Sequence, residues 1–502
     1  MRKFICAKDE WRDPLNTTPN QPTHSSSDDF TKACADIVGT QHVLTDPNDL
    51  NRYGVDWTGQ YSGTPIAVAR PDTTEQVSDL VKLCGVHRIA MVPVSGRTGL
   101  CGGGVPISGQ PSLMISLERM NRIRAFDTAA RTVTVEAGVV LETLHAAALE
   151  HELIFPLMFG AKGSCMIGGN LSTNAGGSNV VRYGNTRDLC LGIEAVMPDG
   201  TIVTGLQGLR KDNTGYDIKN LLIGAEGTLG IITAAVFKVS PKPAVRATAF
   251  VSVQTLSATI DVLNRLQDRT GGAVEAFEYM PKVMVDTICQ QIPNVRPPLD
   301  TPAETGLLIE VASSRADDAE MLEDGTVALQ NRVLEILGEL MEEEIVIDAM
   351  IAQSEQQRAD LWKMRESVLE AITENGPFYL MDISLPLAHV AQFVAAMDAF
   401  CTPLGVLPLM VAHLGDGNLH YGLAAAEGHV FVDLPMDQVK AQAFDLLRTL
   451  GGSFSAEHGI GQSKLDLMTS LKDPGQLAVM RMIKCAIDPQ NLMNPGKMVP
   501  TI

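Results

Sequence analysis

Apolar positions recur along this chain at two periods, and the balance between them changes near residue 241. Before that point short strand-like runs alternate with loops. Ile66, Ala67, Val68 and Ala69 form a buried run, and Thr73 and Thr74 offer N-caps for a helix whose apolar face is Val77, Leu80, Val81 and Cys84. Further strands are predicted at 89–94, 112–117, 132–136 and 193–197, with a helix over 141–149. After Pro241 helical spacing dominates, at 315–342, 354–374, 386–400, 435–450 and 474–486, with strands at 306–311 and 344–348 between. No regular strand–helix–strand alternation runs through the chain, so the pattern predicts an α+β fold. The Pro- and Ser-rich stretch from 14 to 28 reads as a mobile lead-in.

The densest chemistry falls in His413-Leu-Gly-Asp-Gly-Asn-Leu-His420 and, downstream, in Ser455-Ala-Glu-His-Gly-Ile-Gly461. Asp416-Gly417 signals a type I′ hairpin turn, whose two central residues both need positive φ. Centred there, the turn sets Gly415 against Asn418, Leu414 against Leu419 and His413 against His420, with facing Cβ atoms roughly 5 Å apart. Two imidazoles so placed suit one metal ion, with Glu457 and His458 supplying a further ligand and a base. The competing reading is two unrelated buried histidines beside a polar loop.

Composition narrows the classes. The 502 residues, 45% hydrophobic and 20% charged, suit a globular chain of about two to four domains. A formal net charge of −20 argues against nucleic acid or anionic lipid as partners, since both need clustered Lys and Arg. Nine cysteines without a Cys-x-x-Cys pair argue against a disulfide scaffold or an iron–sulfur site. No apolar run reaches about 18 residues. The N-terminal stretch is broken by acids and lacks the apolar core of a signal peptide, so the expected location is cytoplasmic, at most peripheral at the inner membrane face.

Three glycine-rich loops occupy the first half: Pro93-Val-Ser-Gly-Arg-Thr-Gly-Leu-Cys-Gly-Gly-Gly-Val-Pro106, Gly160-Ala-Lys-Gly-Ser-Cys-Met-Ile-Gly-Gly-Asn-Leu-Ser-Thr-Asn-Ala-Gly-Gly177 and Gly224-Ala-Glu-Gly-Thr-Leu-Gly-Ile-Ile232. Glycine lets backbone N–H groups turn inward on a phosphate. Neither of the two commonest nucleotide loops, G-x-G-x-x-G and G-x-x-x-x-G-K-[ST], occurs. Tight turns explain any one loop; three together favour a large phosphate-bearing ligand.

With the hairpin, the Ser455–Gly461 motif and the tail Asp488-Pro-Gln-Asn-Leu-Met-Asn-Pro-Gly-Lys497, these loops resemble in content and order the FAD-linked dehydrogenases of the vanillyl-alcohol-oxidase fold, with its PCMH-type FAD-binding domain. Within that fold the resemblance is to the D-2-hydroxyglutarate and D-lactate dehydrogenase branch, and it spans residues 40–500. It implies a lead-in over 1–40, an FAD-binding domain over 41–241, an α+β substrate (cap) domain over 242–454 and a C-terminal segment, 455–502, packing on the FAD site. Ser95, Gly96, Arg97, Thr98 and Gly99 would wrap the pyrophosphate. Gly160, Ser164, Gly168, Gly169, Thr173, Asn174, Gly176 and Gly177 would lie along the flavin and ribityl chain. Ile231 and Ile232 would pack near the adenine, and Asn494 would return to the flavin. The loops contain no histidine, so FAD is expected to be held non-covalently.

The same resemblance makes His413, His420 and Glu457 the ligands of a divalent metal, usually zinc, and His458 the base that takes the substrate hydroxyl proton. Arg365 would pair with the substrate carboxylate, a partner suited to its planar fork. The implied activity is oxidation of a D-2-hydroxy acid, with electrons passed to a quinone, a cytochrome or an electron-transfer flavoprotein. Oligomeric state is not legible, and a homodimer is carried as the default. The chain departs from the 2-hydroxyglutarate pattern where a threonine and a lysine hold the second carboxylate: Leu369 and Leu380 stand there, and Gly422 replaces an asparagine. With Arg365 and Asn418, these leucines define an expected pocket for short or apolar side chains, D-lactate among them. The rivals are a D-2-hydroxyglutarate dehydrogenase with a rearranged distal site, a flavin-free metal hydrolase using the same His/His/Glu set, and a non-catalytic flavin-binding subunit.

Overall fold

The computed structural model describes residues 27–301, 303–323 and 325–500. Most of the predicted lead-in lies outside the described residues. From Ser27 the chain is already helical: the helix Ser27–Val38 buries Phe30, Cys34 and Val38 in one cluster with Val77, Leu80 and Cys84 of the helix Thr74–His87. The packed structure thus begins ahead of the boundary at residue 40.

Thr74–His87 forms where the pattern places it. Thr73 Oγ1 caps it by accepting from Gln76 N–H, and Arg88 closes it in the left-handed region. It lies beside a four-stranded sheet ordered Val43–Leu44, Ala67–Ala69, Ser112–Ser116, Ala90–Val94, whose last two pairings are parallel. A five-stranded antiparallel sheet follows, ordered Ile123–Asp127, Thr132–Glu136, Ile231–Lys238, Cys190–Val196, Ile202–Thr204. The first glycine-rich loop leaves the end of Ala90–Val94, and the third enters Ile231–Lys238. The loops therefore meet where the two sheets adjoin. Pro93 is tolerated on Ala90–Val94 because that strand is the edge of its sheet. The C-terminal tail runs along the same edge: Met91 N–H donates to Leu492 O, and Asn494 N–H to Met91 O.

The second half is built on a seven-stranded antiparallel sheet ordered Val346–Ile351, Val245–Val253, Thr305–Ser313, Val274–Pro281, Val406–His413, Asn418–Ala425, Phe378–Ser384. Helices cover both faces. On one, Leu361, Met364, Val368, Ala371 and Ile372 pack on Leu308, Leu409, Val411 and Ala424. Two predicted helices are shorter than the pattern suggested. The 315–342 segment is α-helical only over Ala328–Glu342. Ahead of it the Asp318 carboxylate is taken by Ser313 Oγ and Arg332, and Gly325 turns at φ 84°. The 354–374 segment divides into Glu355–Glu366 and Val368–Glu374 at Ser367.

The hairpin register also differs from expectation. His413 faces Asn418, Ala412 faces Leu419 and Val411 faces His420, so Leu414–Gly417 is a four-residue connection in which only Gly417 takes a positive φ, 77°. The expected pairing of His413 directly against His420 is thereby corrected. The neighbouring strand sets the slip: Leu414 and Gly415 N–H both donate to Phe277 O, at 2.8 and 3.3 Å. Because the side-chain period of a strand is two residues, His413 and His420 stay on one face as diagonal neighbours. Their rings meet edge to face, with centroids 5.0 Å apart.

Candidate active site

A cavity of about 280 Å³ opens where the glycine-rich loops converge. Ser95, Gly96, Arg97, Thr98 and Gly99 line it, as do Gly168, Gly169, Thr173, Gly176, Ile231 and Ile232. Gly160, Ser164, Asn174 and Gly177 do not. Ser164 O backs Gly96, where an added Cβ would lie 2.4 Å from it. Asn174 caps the helix Ile167–Thr173 in the left-handed region and accepts from Arg187 N–H through Oδ1. Gly177, at φ 132°, is pressed on Met158 O. Asn494 is buried behind the cavity, donating through Nδ2 to Gly103 O and Glu226 O, while its Oδ1 has no partner among the described residues.

This wall fits a long polyanionic cofactor. At Gly99 an added Cβ would meet nothing within 4 Å, and at Gly169 only Ser95 Cβ, at 3.7 Å. Open space therefore runs along the loops, with main chain as its surface. Glu457 and His458 line the same cavity.

Beside it stand the cap histidines. Glu278, directly opposite His413 across the paired strands Val274–Pro281 and Val406–His413, meets His413 Nδ1 at 2.8 Å with Oε1 and accepts from Arg365 Nε at 2.7 Å with Oε2. Asp382, directly opposite His420, lies 3.7 Å from its Nδ1. Each cap imidazole thus turns Nδ1 to a buried carboxylate, the arrangement by which metal-binding histidines are oriented. His420 Nε2 faces Glu457 Oε1 at 3.5 Å, and His458 Nε2 faces the same oxygen at 4.0 Å. Ligand atoms of Asp382, His420, Glu457 and His458 lie within 4.8 Å of one another; His413 is not part of that compact group, although its ring meets His420 at 5.0 Å between centroids. Two imidazoles and a carboxylate, backed by further carboxylates, are a donor set for a divalent ion.

Burial works to raise the Glu278 carboxyl, but the charges of His413 and Arg365 outweigh it and hold it at about 2. Glu457 has less compensation, and burial pushes it up to about 7. Burial also holds the His458 imidazole below its ordinary value.

The other expected substrate residues divide. Leu380 lies on the His420 face, opposite Gly422 and two residues along its strand from Asp382. Asn418 is buried, and its amide Nδ2 is committed to Asp382 Oδ1 and Ile383 O. Leu369 is the second residue of the helix Val368–Glu374, after the break at Ser367, and is 43% exposed, so nothing in the packing makes it a wall of the site. Glu278, Asp382 and Glu226 were not singled out from the sequence. The available signal was an acid inside an apolar strand, Phe277-Glu278-Tyr279 and Met381-Asp382-Ile383.

Residues 65–205 match the family model of a FAD binding domain, and residues 242–498 that of the FAD linked oxidases, C-terminal domain. The mitochondrial D-2-hydroxyglutarate dehydrogenase of Bos taurus is 35% identical over 480 residues, covering 95% of this chain and 84% of its own. The D-2-hydroxyglutarate dehydrogenase of Xanthomonas citri pv. viticola is 34% identical over 470 residues, 92% of this chain and 95% of its own. A Schizosaccharomyces pombe protein provisionally named a mitochondrial D-lactate dehydrogenase is 33% identical over 466 residues, 91% of this chain and 86% of its own. Among solved structures, p-cresol methylhydroxylase aligns with TM-score 0.70 at 16% identity, over 94% of this chain and 96% of that one. Alkyldihydroxyacetonephosphate synthase aligns with TM-score 0.68 at 16% identity, over 98% and 89%. At that identity the two structures speak for the fold alone.

Proposed function

The chain belongs to the FAD-linked oxidases, in the branch of FAD-dependent D-2-hydroxy-acid dehydrogenases, and on that footing we propose that it oxidises a D-2-hydroxy acid with a short or apolar side chain, such as D-lactate, to the 2-oxo acid with the help of a divalent metal, zinc by preference. The observation that carries the reading is a single cavity lined both by the glycine-rich loops and by Glu457 and His458, with His420 facing Glu457 from the cap.

When bound, FAD supplies the hydride acceptor and the divalent ion a Lewis acid that lowers the hydroxyl pKa. His413, His420 and Glu457 would hold the ion. Arg365 pairs with the substrate carboxylate and fixes C2 relative to the cavity. His458 accepts the hydroxyl proton at Nε2 as C2 gives up its hydride, and burial keeps the imidazole neutral and ready to do so. The reducing equivalents leave to an external quinone, cytochrome or electron-transfer flavoprotein.

Leu380 and Gly422 support the substrate class. They sit side by side beyond His420 and offer no cation to a second carboxylate, whose burial without a partner costs several kcal/mol. The second reading, D-2-hydroxyglutarate, is favoured by the names of the Bos taurus and Xanthomonas relatives. Anaerobic bleaching of the bound flavin by a panel of D- and L-2-hydroxy acids separates them. Fastest reduction by D-lactate or D-2-hydroxybutyrate supports the first; fastest reduction by D-2-hydroxyglutarate supports the second. No bleaching by any acid would overturn both.

A further inference from the structure

Three consecutive backbone N–H groups converge on one oxygen. Those of Ala456, Glu457 and His458 reach Asp382 Oδ2 at 3.2, 2.9 and 2.8 Å. Successive main-chain N–H groups arranged so make an anion-binding nest, and here the anion is a side chain of the cap sheet, 2% exposed. Ser384, at the end of the same strand, exchanges two hydrogen bonds with Ser453, which delivers the C-terminal segment to this point. The second oxygen of Asp382 accepts from Asn418 Nδ2 at 2.9 Å, so the carboxylate cannot swing.

The same carboxylate stands behind two rings. His420 and His458 stack with centroids 5.7 Å apart and 13° between their planes. His420 Nδ1 lies 3.7 Å from Oδ1 and His458 Nδ1 lies 3.8 Å from Oδ2, which leaves both Nε2 atoms toward Glu457. Strand register alone brings Asp382 to His420; the approach of His458 Nδ1 to the same carboxylate comes from the Glu457–His458 loop it holds.

We propose that Asp382 is the positioning residue of the reaction: it pins the Glu457–His458 loop to the cap sheet and orients the His458 ring so that Nε2 faces the reacting hydroxyl. The proposal rests on the reading of His458 as the base. Asp382 takes no proton itself. The hydroxyl proton goes to His458 Nε2, the Nδ1 proton stays on the ring facing Asp382, and the hydride leaves C2 for the flavin.

The experiment is anaerobic flavin reduction by the preferred acid, on holoenzyme. Asp382→Asn keeps an oxygen for the N–H groups but removes the charge behind Nδ1. It should retain flavin and metal, lower the limiting rate of reduction about 10²-fold and change the apparent Kd of the acid less than about threefold. The double variant Asp382→Asn/His458→Ala should be no slower than His458→Ala alone, because the first residue acts through the second. Additive losses, or an Asp382→Asn rate near wild type beside a slow His458→Ala, would overturn the proposal alone. A His458→Ala rate near wild type would overturn the base reading and the proposal with it. If Asp382→Asn does not fold, histidine ¹⁵N NMR of the wild-type holoenzyme decides. Protonation of His458 on Nδ1 supports the proposal, and protonation on Nε2 overturns it.

Discussion

Arg365 enters the site through Glu278: its Nε donates to Glu278 Oε2 at 2.7 Å, from a helix packed on the sheet that carries the acid. The other oxygen of that carboxylate meets His413 Nδ1. A single buried acid therefore sets both the proposed substrate anchor and a proposed metal ligand. In Glu278→Gln the amide can accept from only one of the two. The expected outcome is an apparent KM for the hydroxy acid raised about 10–100-fold together with a fall in bound metal. Steady-state kinetics and elemental analysis check it; a KM and metal content both unchanged would mean that Glu278 serves only the fold.

Metal loss should separate from flavin loss. His413→Ala and His420→Ala are expected to lose the divalent ion and most of the flavin reduction rate while the protein remains yellow, since the glycine-rich loops lie on another part of the chain. Elemental analysis beside the visible spectrum tests this, and full activity of metal-free wild-type protein after chelation would refute the metal's role.

Gly99 tests the cofactor wall. Its φ is not positive and an added Cβ meets nothing within 4 Å, so the backbone tolerates substitution and only the channel is filled. Gly99→Leu should melt within about 4 °C of the wild-type protein freed of FAD, yet purify without flavin absorbance. A yellow Gly99→Leu protein would show that the cofactor runs elsewhere.

Acid stability should depend on Glu310. Burial works to raise this carboxyl, but the hydrogen bond and charge of Arg358, then Trp362 and Thr248, hold it below its ordinary value. A carboxyl lowered in the folded state stabilises the fold above its unfolded pKa, about 4.3, and that contribution fades as pH falls through the folded value. Glu310→Gln should therefore cost on the order of 2 kcal/mol at pH 7, with the gap to wild type closing below about pH 4. Urea unfolding across pH measures it; a gap constant with pH would rule out the ion pair as its source.

Leu380→Lys places a cation beside Gly422 and should shift kcat/KM toward D-2-hydroxyglutarate relative to D-lactate by about tenfold or more. Leu369→Thr, on an exposed position, should change the ratio less than about threefold. If Leu369→Thr moves the ratio as far as Leu380→Lys, the helix Val368–Glu374 lines the pocket after all.

The legible parts of the sequence were those governed by local rules. Thr73 as a cap, the strand at Thr132–Glu136 and the helix at Leu141–Leu149 follow from periodicity and hydrogen-bonding side chains within a few residues. The glycine-rich loops were legible because they keep side chains out of a channel that glycine alone leaves open. The hairpin register was not, because Phe277, more than a hundred residues upstream, holds the N–H groups of Leu414 and Gly415 and overrides the turn preference of Asp416-Gly417. Glu278 and Asp382 were missed for the same reason. Each matters through partners on other elements, and no spacing within one segment announces them.

Glu226 accepts from Ile460 and Gly461 N–H at 2.7 Å each, just past the three N–H groups held by Asp382. The loop between the two carboxylates is thus closed by contacts 234, 235 and 74 to 76 residues apart in sequence. Contacts so distant recover the chain entropy they cost only after both halves have taken shape. During refolding in the presence of FAD, flavin fluorescence quenching should accordingly return before turnover does. That interval would report the closing of this loop on its two anchors, Asp382 and Glu226.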